Sequence, residues 1–226
     1  MTITYVHHRI SAAPLHWRAV ADRLRARGTG RAEGALYGLW RSQIGRPRDE
    51  VTAITAWQGP IGAAAAGAAL AGDGLQIGRI DSIAMAPTLR PGDAAPPRRQ
   101  GNYAFRWFLT PQADWPAFLD LCTQAWPGVE AAYDSQVIGL WQAAADLPGH
   151  GADDPTGPPA GGQVRSLLLT RRPDLAMWER SKLPQGAAET AVREALSRRY
   201  DLCSWTSVHT TTLLTAADAE DRARWT

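Results

Sequence analysis

The sequence predicts an α+β fold in which two tandem β-α-β-β-α-β repeats close into a dimeric-type α+β barrel within one chain. Three observations predict it. The order of strand-like and helix-like segments runs through once and then again. Tyr37-Gly38-Leu39-Trp40 recurs as Ile138-Gly139-Leu140-Trp141, 101 residues on. The strands carry apolar residues on both faces, so a sheet with helices on one side only leaves its other face to be covered by a second sheet.

The first repeat opens with the strand-like run Thr2 to Ile10. A helix follows between Pro14 and Gly28, with Trp17, Val20 and Leu24 on one face and Arg18, Asp22 and Arg25 on the other. The Tyr37 to Trp40 strand comes next, then Val51 to Trp57, a small Ala-rich helix around Ile61 to Leu70, and a last strand, Ser82 to Leu89. The second repeat begins with the strand Asn102 to Thr110. Its helix is capped by Asp114, carries Trp115, Phe118, Leu119 and Cys122 on one face, and is expected to stop at Pro127-Gly128. The Ile138 to Trp141 strand, the strand Val164 to Thr170, a helical stretch Leu175 to Tyr200 and the strand Ser207 to Leu214 complete it. Each half is the split pattern of a ferredoxin-like unit. Residues 1–90 form repeat 1, 91–101 a Pro/Gly-rich linker, and 102–226 repeat 2, with 146–162 a long exposed loop.

Composition excludes several classes. The chain has 226 residues, 45% of them hydrophobic and 20% charged, and a net charge of +2, which is too balanced for a dedicated nucleic-acid or acidic-membrane binder. Its 2 cysteines, Cys122 and Cys203, make neither a disulfide framework nor metal-ligand spacing. The Ala/Gly stretch 61–72 is too short to cross a bilayer, and residues 1–10 lack a secretion-signal pattern, so a soluble cytoplasmic protein is expected. Lys182 is the only lysine among 24 basic residues, a bias that a GC-rich bacterial genome explains. There is no P-loop, no G-x-S-x-G elbow and no H-E-x-x-H motif, and Gly72-Asp73-Gly74 reads as a turn.

Candidate chemistry therefore rests on strand residues and tryptophans. His7 and His8 are neighbours on a strand and point to opposite faces, so they cannot chelate one metal together. Tyr5, His7 and Arg9 share one face. Tyr103, Phe105 and Trp107 occupy the equivalent face of the second half, with Arg106 on the other. Polar groups in strands covered on both sides must be paired, so His7 and Arg9 either fix the fold or await a ligand. His209 lies in the last strand and His150 in the exposed loop. Trp40 and Trp141 are equivalent fillers of a two-fold core, whereas Trp57, Trp178 and Trp205 lack counterparts and suit a one-sided pocket.

The run Gly34 to Trp57, with Gly45, Asp49, Glu50, Val51 and Trp57 at the marked positions, resembles the NIPSNAP-type members of the dimeric α/β-barrel superfamily. The second half is similar in element order and in Gly139-Leu140-Trp141 but lacks the short hairpin motif. The resemblance implies the barrel fold. It also implies a superfamily that includes cofactor-free monooxygenases, haem-degrading enzymes, haem peroxidases and lactone isomerases.

Two readings follow. In the first, a small aromatic or polyketide-like molecule binds an internal cavity and is oxygenated without a cofactor. His7 or His209 is the base, Arg9 or Arg106 stabilises the anion, and Tyr5, Trp57, Tyr103, Trp178 and Trp205 line the site. A haem-using variant needs one histidine as axial ligand instead. In the second, the polar strand residues are paired and the protein is a non-catalytic partner-binding module that recruits through the 146–162 loop. Internal duplication removes the need for a homodimer without forbidding one.

Overall fold

The structure is a computed structural model that describes residues 2–72, 74, 76–144 and 161–218. Nearly all of the 146–162 loop, His150 with it, Asp73 and most of the 216–226 tail lie outside the described residues. The chain divides into two units. The first is Met1–Ala86 with Asp93–Gln100 and Thr210–Thr226; the second is Pro87–Gly92 with Gly101–His209.

The first unit holds β1 (Ile3–Ala12), α1 (Trp17–Arg27), β2 (Gly34–Ile44), β3 (Glu50–Gln58), α2 (Ala63–Ala71) and most of β4 (Ile77–Arg90). β1 pairs antiparallel with both β3 and β4, and β2 pairs with β3. α1 buries Trp17, Val20 and Leu24, spaced at three and four residues, against Ile10, Leu39 and Val51 of the sheet. Gly28 ends the helix at a φ of 60°, its N–H reaching Leu24 O at 2.9 Å. α2 is nearly all alanine and sits close, since a Cβ on Gly67 would lie 2.6 Å from Ser82 Oγ.

The second unit holds β5 (Asn102–Pro111), α3 (Trp115–Tyr133), β6 (Gln136–Ala143), β7 (Gln163–Arg172), α4 (Leu175–Arg180), α5 (Gly186–Asp201) and the first half of β8 (Trp205–Leu213). β7 pairs antiparallel with β5 and β6. Phe108, Phe118, Trp126, Val137, Leu140 and Leu168 form the core between the sheet and α3.

β4 and β8 each run out of one unit into the other. Residues Thr210 to Leu213 of β8 pair with β2. The strand order is β1-β3-β2-β8-β5-β7-β6-β4, a closed ring, and the chain has the α+β fold of two ferredoxin-like repeats.

The duplication extends to local irregularities. β2 slips register against β3 between Leu36 and Gly38, and β6 slips against β7 between Val137 and Gly139. After each slip a fully buried tryptophan, Trp40 or Trp141, lays its ring over the glycine two residues earlier, where a Cβ would enter the ring's van der Waals envelope.

Two expectations are corrected. α3 does not stop at Pro127-Gly128 but runs through to Tyr133. Trp126, Val129 and Tyr133 are buried along it, and Gly128 lets Val192 of α5 approach where any side chain would collide. That burial outweighs the roughly 3 kcal/mol cost of an interior proline. The stretch Leu175 to Tyr200 is two helices. Asp174 caps the first, accepting from Met177 N at 2.7 Å, and Pro184 disfavours the helical conformation at Leu183.

Candidate functional site

The second unit contains a half-open cavity of about 330 Å³ between its sheet and its helix layer. Strand alternation sets the floor. Leu168, Thr170 and Arg172 of β7 share the helix-facing side, and Arg106, directly across from Leu168, faces the same way. Trp126, Val129 and Tyr133 of α3 form one wall, and Arg193, Leu196, Arg199 and Tyr200 of α5 form the other. The α5 residues recur at intervals that keep them on one helical face. Trp178 of α4 and Lys182 stand at the margin, with Lys182 Nζ 4.4 Å from the centre of the Trp178 ring.

Arg106 corresponds in register to His8, which is fully buried and held by two hydroxyls. Its Nδ1 lies 2.8 Å from Ser82 Oγ and its Nε2 2.9 Å from Thr55 Oγ1. Burial pushes the His8 pKa down to about 3, so the ring is neutral. The small side chains of α2 let that helix settle onto its sheet. In the second unit the bulky Trp126 and Tyr133 of α3 and Tyr200 of α5 stand around the cavity.

The cavity's electrostatics are one-sided. Arg106, Arg172, Lys182, Arg193 and Arg199 line it, and no carboxylate is among the lining residues. Arg106 stacks 5.3 Å from the Tyr200 ring centre, and Arg199 lies 5.1 Å from the rings of both Tyr200 and Phe108. Burial lowers the pKa of Arg106, and the nearby Arg199 and Arg193 add to the effect. Burial and then the charge of Arg106 push Arg172 down to about 10. Glu189, the acid on the first turns of α5, is committed elsewhere. It accepts from Arg180 at 2.8 and 2.9 Å, from Gln185 N at 2.7 Å and from Tyr133 Oη at 3.2 Å, which ties α4, α5 and α3 together.

The sequence candidates fall in several places. Arg106 and Trp178 line the cavity. His209 lies on the opposite face of the same sheet, since its neighbour Val208 is the lining residue, and its ring stacks on Phe105 at 5.1 Å and 10°. Tyr103 is fully buried in β5, on the Phe105 side, and Trp205 is half-buried at the start of β8. Tyr5, His7, Arg9 and Trp57 belong to the first unit. There Tyr5 packs edge-on against Tyr37 at 5.3 Å and donates to Asp93 O at 2.8 Å. Arg9 pairs with buried Glu50, which also faces Arg46 at 3.6 Å. Trp57 donates its indole N–H to Thr55 Oγ1 at 2.8 Å and covers Gly34, where a Cβ would lie 2.6 Å from its ring. His7 is buried on the Tyr5 face.

Sequence reasoning missed Arg172, Arg193, Arg199, Tyr133 and Tyr200. The usable signal was an arginine on the apolar side of an amphipathic helix, Arg199 at 3% exposure. No imidazole lines the cavity, so it does not present the histidine that axial ligation of haem iron would need. Among the described residues no group of three or more His, Cys, Asp or Glu is placed to hold a metal ion, and no helix is long and apolar enough to cross a membrane.

No family profile and no curated protein sequence matches the chain. Solved structures do resemble it. A candidate monooxygenase of Lactobacillus acidophilus NCFM superposes with a TM-score of 0.54 at 10% identity, over 96% of this chain and 98% of the other. An anthrone oxidase-like protein gives 0.55 at 11% identity, over 94% and 91%. A chlorite dismutase variant of Candidatus Nitrospira defluvii gives 0.50 at 8% identity, over 94% and 91%. At these identities the likeness is one of fold: the chain shares the ferredoxin-like dimeric α/β-barrel fold of these structures.

Proposed function

We propose that the chain binds a small aromatic molecule in the cavity of its second unit. The observation that carries this reading is the cavity itself, about 330 Å³ with Trp126, Tyr133, Trp178 and Tyr200 around it and Arg106 in its floor. Aromatic walls with a few convergent polar groups are the usual make-up of a small-molecule site, and stacking on flat rings selects flat ligands. The NIPSNAP-type hairpin residues support the affiliation at the level of fold, because Gly45 takes a φ of 94° in the β2–β3 turn and Glu50 anchors the strand behind it.

The same reading accommodates oxygenation without a cofactor, the activity expected from the sequence. Of the two bases expected there, His209 faces away from this cavity and His7 belongs to the first unit. A phenol or carbon acid held beside Arg106 and Arg172 would ionise more readily because nearby positive charge favours the anion, so the field supplies part of what a base would.

Isothermal titration with a panel of two- and three-ring aromatics tests the reading, on the wild type and on Leu196→Trp, which fills the cavity. Saturable one-to-one binding that is lost in Leu196→Trp, with the variant still folded, is the expected result. Absence of binding below millimolar concentration across the panel would overturn it.

A further inference from the structure

Resting on that reading, we infer that the molecule held in the second unit's cavity is an organic anion, an aromatic carboxylate or its equivalent, gripped by Arg106 and Arg172 while its ring lies against the tryptophans and tyrosines.

The lining is rich in cationic donors, and its side-chain acceptors are neutral hydroxyls, those of Tyr133, Thr170, Ser181 and Tyr200. Five cationic side chains face the space and no carboxylate does. The polar atoms buried there without a partner among the described residues are N–H groups as well: Arg172 Nε, Arg199 Nε and the Trp126 indole N–H. Arg172 makes one long bond, from Nη1 to Thr170 Oγ1 at 3.4 Å. Arg199 donates to a sulfur, Cys122 Sγ at 3.7 Å. Buried donors left without acceptors are costly, and native proteins complete such sets with a ligand or ordered solvent. An acceptor-only group with several lone pairs satisfies them, and a planar carboxylate matches the guanidinium fork edge to edge. Glu189, the adjacent acid, cannot serve, because Arg180, Gln185 and Tyr133 already occupy it. Burial among like charges also disfavours Arg172 in its charged form, a condition that a bound negative charge relieves.

The test compares 2-naphthoate with its neutral isostere 2-naphthamide by isothermal titration, in low and in high salt. It uses the wild type, Arg106→Gln, Arg172→Gln and, as control, Arg198→Gln, an exposed arginine on α5. The melting temperature of each protein is recorded to confirm folding. Naphthoate is expected to bind at least about tenfold tighter than naphthamide, to weaken with salt, and to lose about tenfold or more in each cavity variant but not in the control. Equal binding of the two probes, or naphthoate binding indifferent to both cavity substitutions, would overturn the anion inference and leave the aromatic site standing. If neither probe binds, the aromatic reading falls and the inference falls with it.

Discussion

A buried cationic cluster costs stability, and Arg172→Met measures that cost. Arg172 is largely buried, and its pKa has dropped to about 10 through burial first and the charge of Arg106 second. At about 1.4 kcal/mol for each tenfold, holding the charge there disfavours the folded state by an upper limit of about 3 kcal/mol. Methionine keeps an apolar stem of similar length and removes the charge. The bond to Thr170 Oγ1 is long, at 3.4 Å, so its loss offsets no more than about 1 kcal/mol. The variant should therefore be more stable by about 2 kcal/mol, or about 4–8 °C in melting temperature for a chain of this size. Differential scanning calorimetry in a buffer of weakly binding anions reads it directly. Adding sulfate should narrow the gap, because an anion that binds the arginines stabilises the wild type more. A melting temperature unchanged or lowered by Arg172→Met would refute the reasoning and make the arginine a structural residue.

The remaining predictions concern the scaffold. Gly139→Ala should cost about 2 kcal/mol by forcing a methyl against the Trp141 ring, and Gly38→Ala should cost about the same against Trp40. Urea denaturation showing either variant within about 0.5 kcal/mol of wild type would contradict the ring-over-glycine packing. His8 must stay neutral in the folded state, with a pKa of about 3 against 6.5 when exposed. The unfolded chain takes up that proton as pH falls below 6.5, so stability should drop by about 2 kcal/mol at pH 5 from this group, and His8→Gln should flatten the slope. Glu189 carries the opposite linkage. Its pKa sits at about 2, lowered first by the Arg180 hydrogen bond, so its contribution is present above about 4.5 and is lost as pH falls toward 2. Glu189→Gln should reduce the acid dependence of Trp178 fluorescence in that window. Glu50→Leu should destabilise by about 3 kcal/mol because it leaves Arg9 and Arg46 buried beside an apolar residue, and adding Arg9→Met should restore much of the loss.

How far the fold could be read from the chain depended on the range of the forces involved. Alternation and helical spacing are local, so β1, α1, β5 and the start of α3 stand out from residues within a few positions of each other. The paired Gly-x-Trp segments were legible as a repeat because each tryptophan packs on a glycine of its own strand. The passage of α3 through Pro127 was not legible, since it depends on Val192 reaching Gly128 from another helix. The candidate site was mostly hidden for the same reason. Arg106 could be marked as a charge in a covered strand and Arg199 as a charge on the apolar side of its helix, but Arg172 and Arg193 look like ordinary solvated residues until α5 is set against β7. Their number was also masked by the general excess of arginine over lysine. On the other side, the strand pair His7 and Arg9 drew attention by sequence, whereas Arg9 proves to be the partner of Glu50.

The two strands that change units bear on how the gene could be cut. The end of β4 is fastened within the second unit, where Arg90 pairs with Glu130 at 2.6 Å and Thr88 donates to Leu140 O at 2.8 Å. The segment after β8 is fastened within the first, where Leu214 N meets Leu39 O at 2.7 Å and Ala217 N meets Arg98 O at 2.8 Å. A break in the 91–101 segment would thus yield two peptides, each missing a strand portion that the other holds. They could reassociate as a complementing pair, yet neither could reproduce its own unit alone, so an ancestral duplication of this kind is not readily undone.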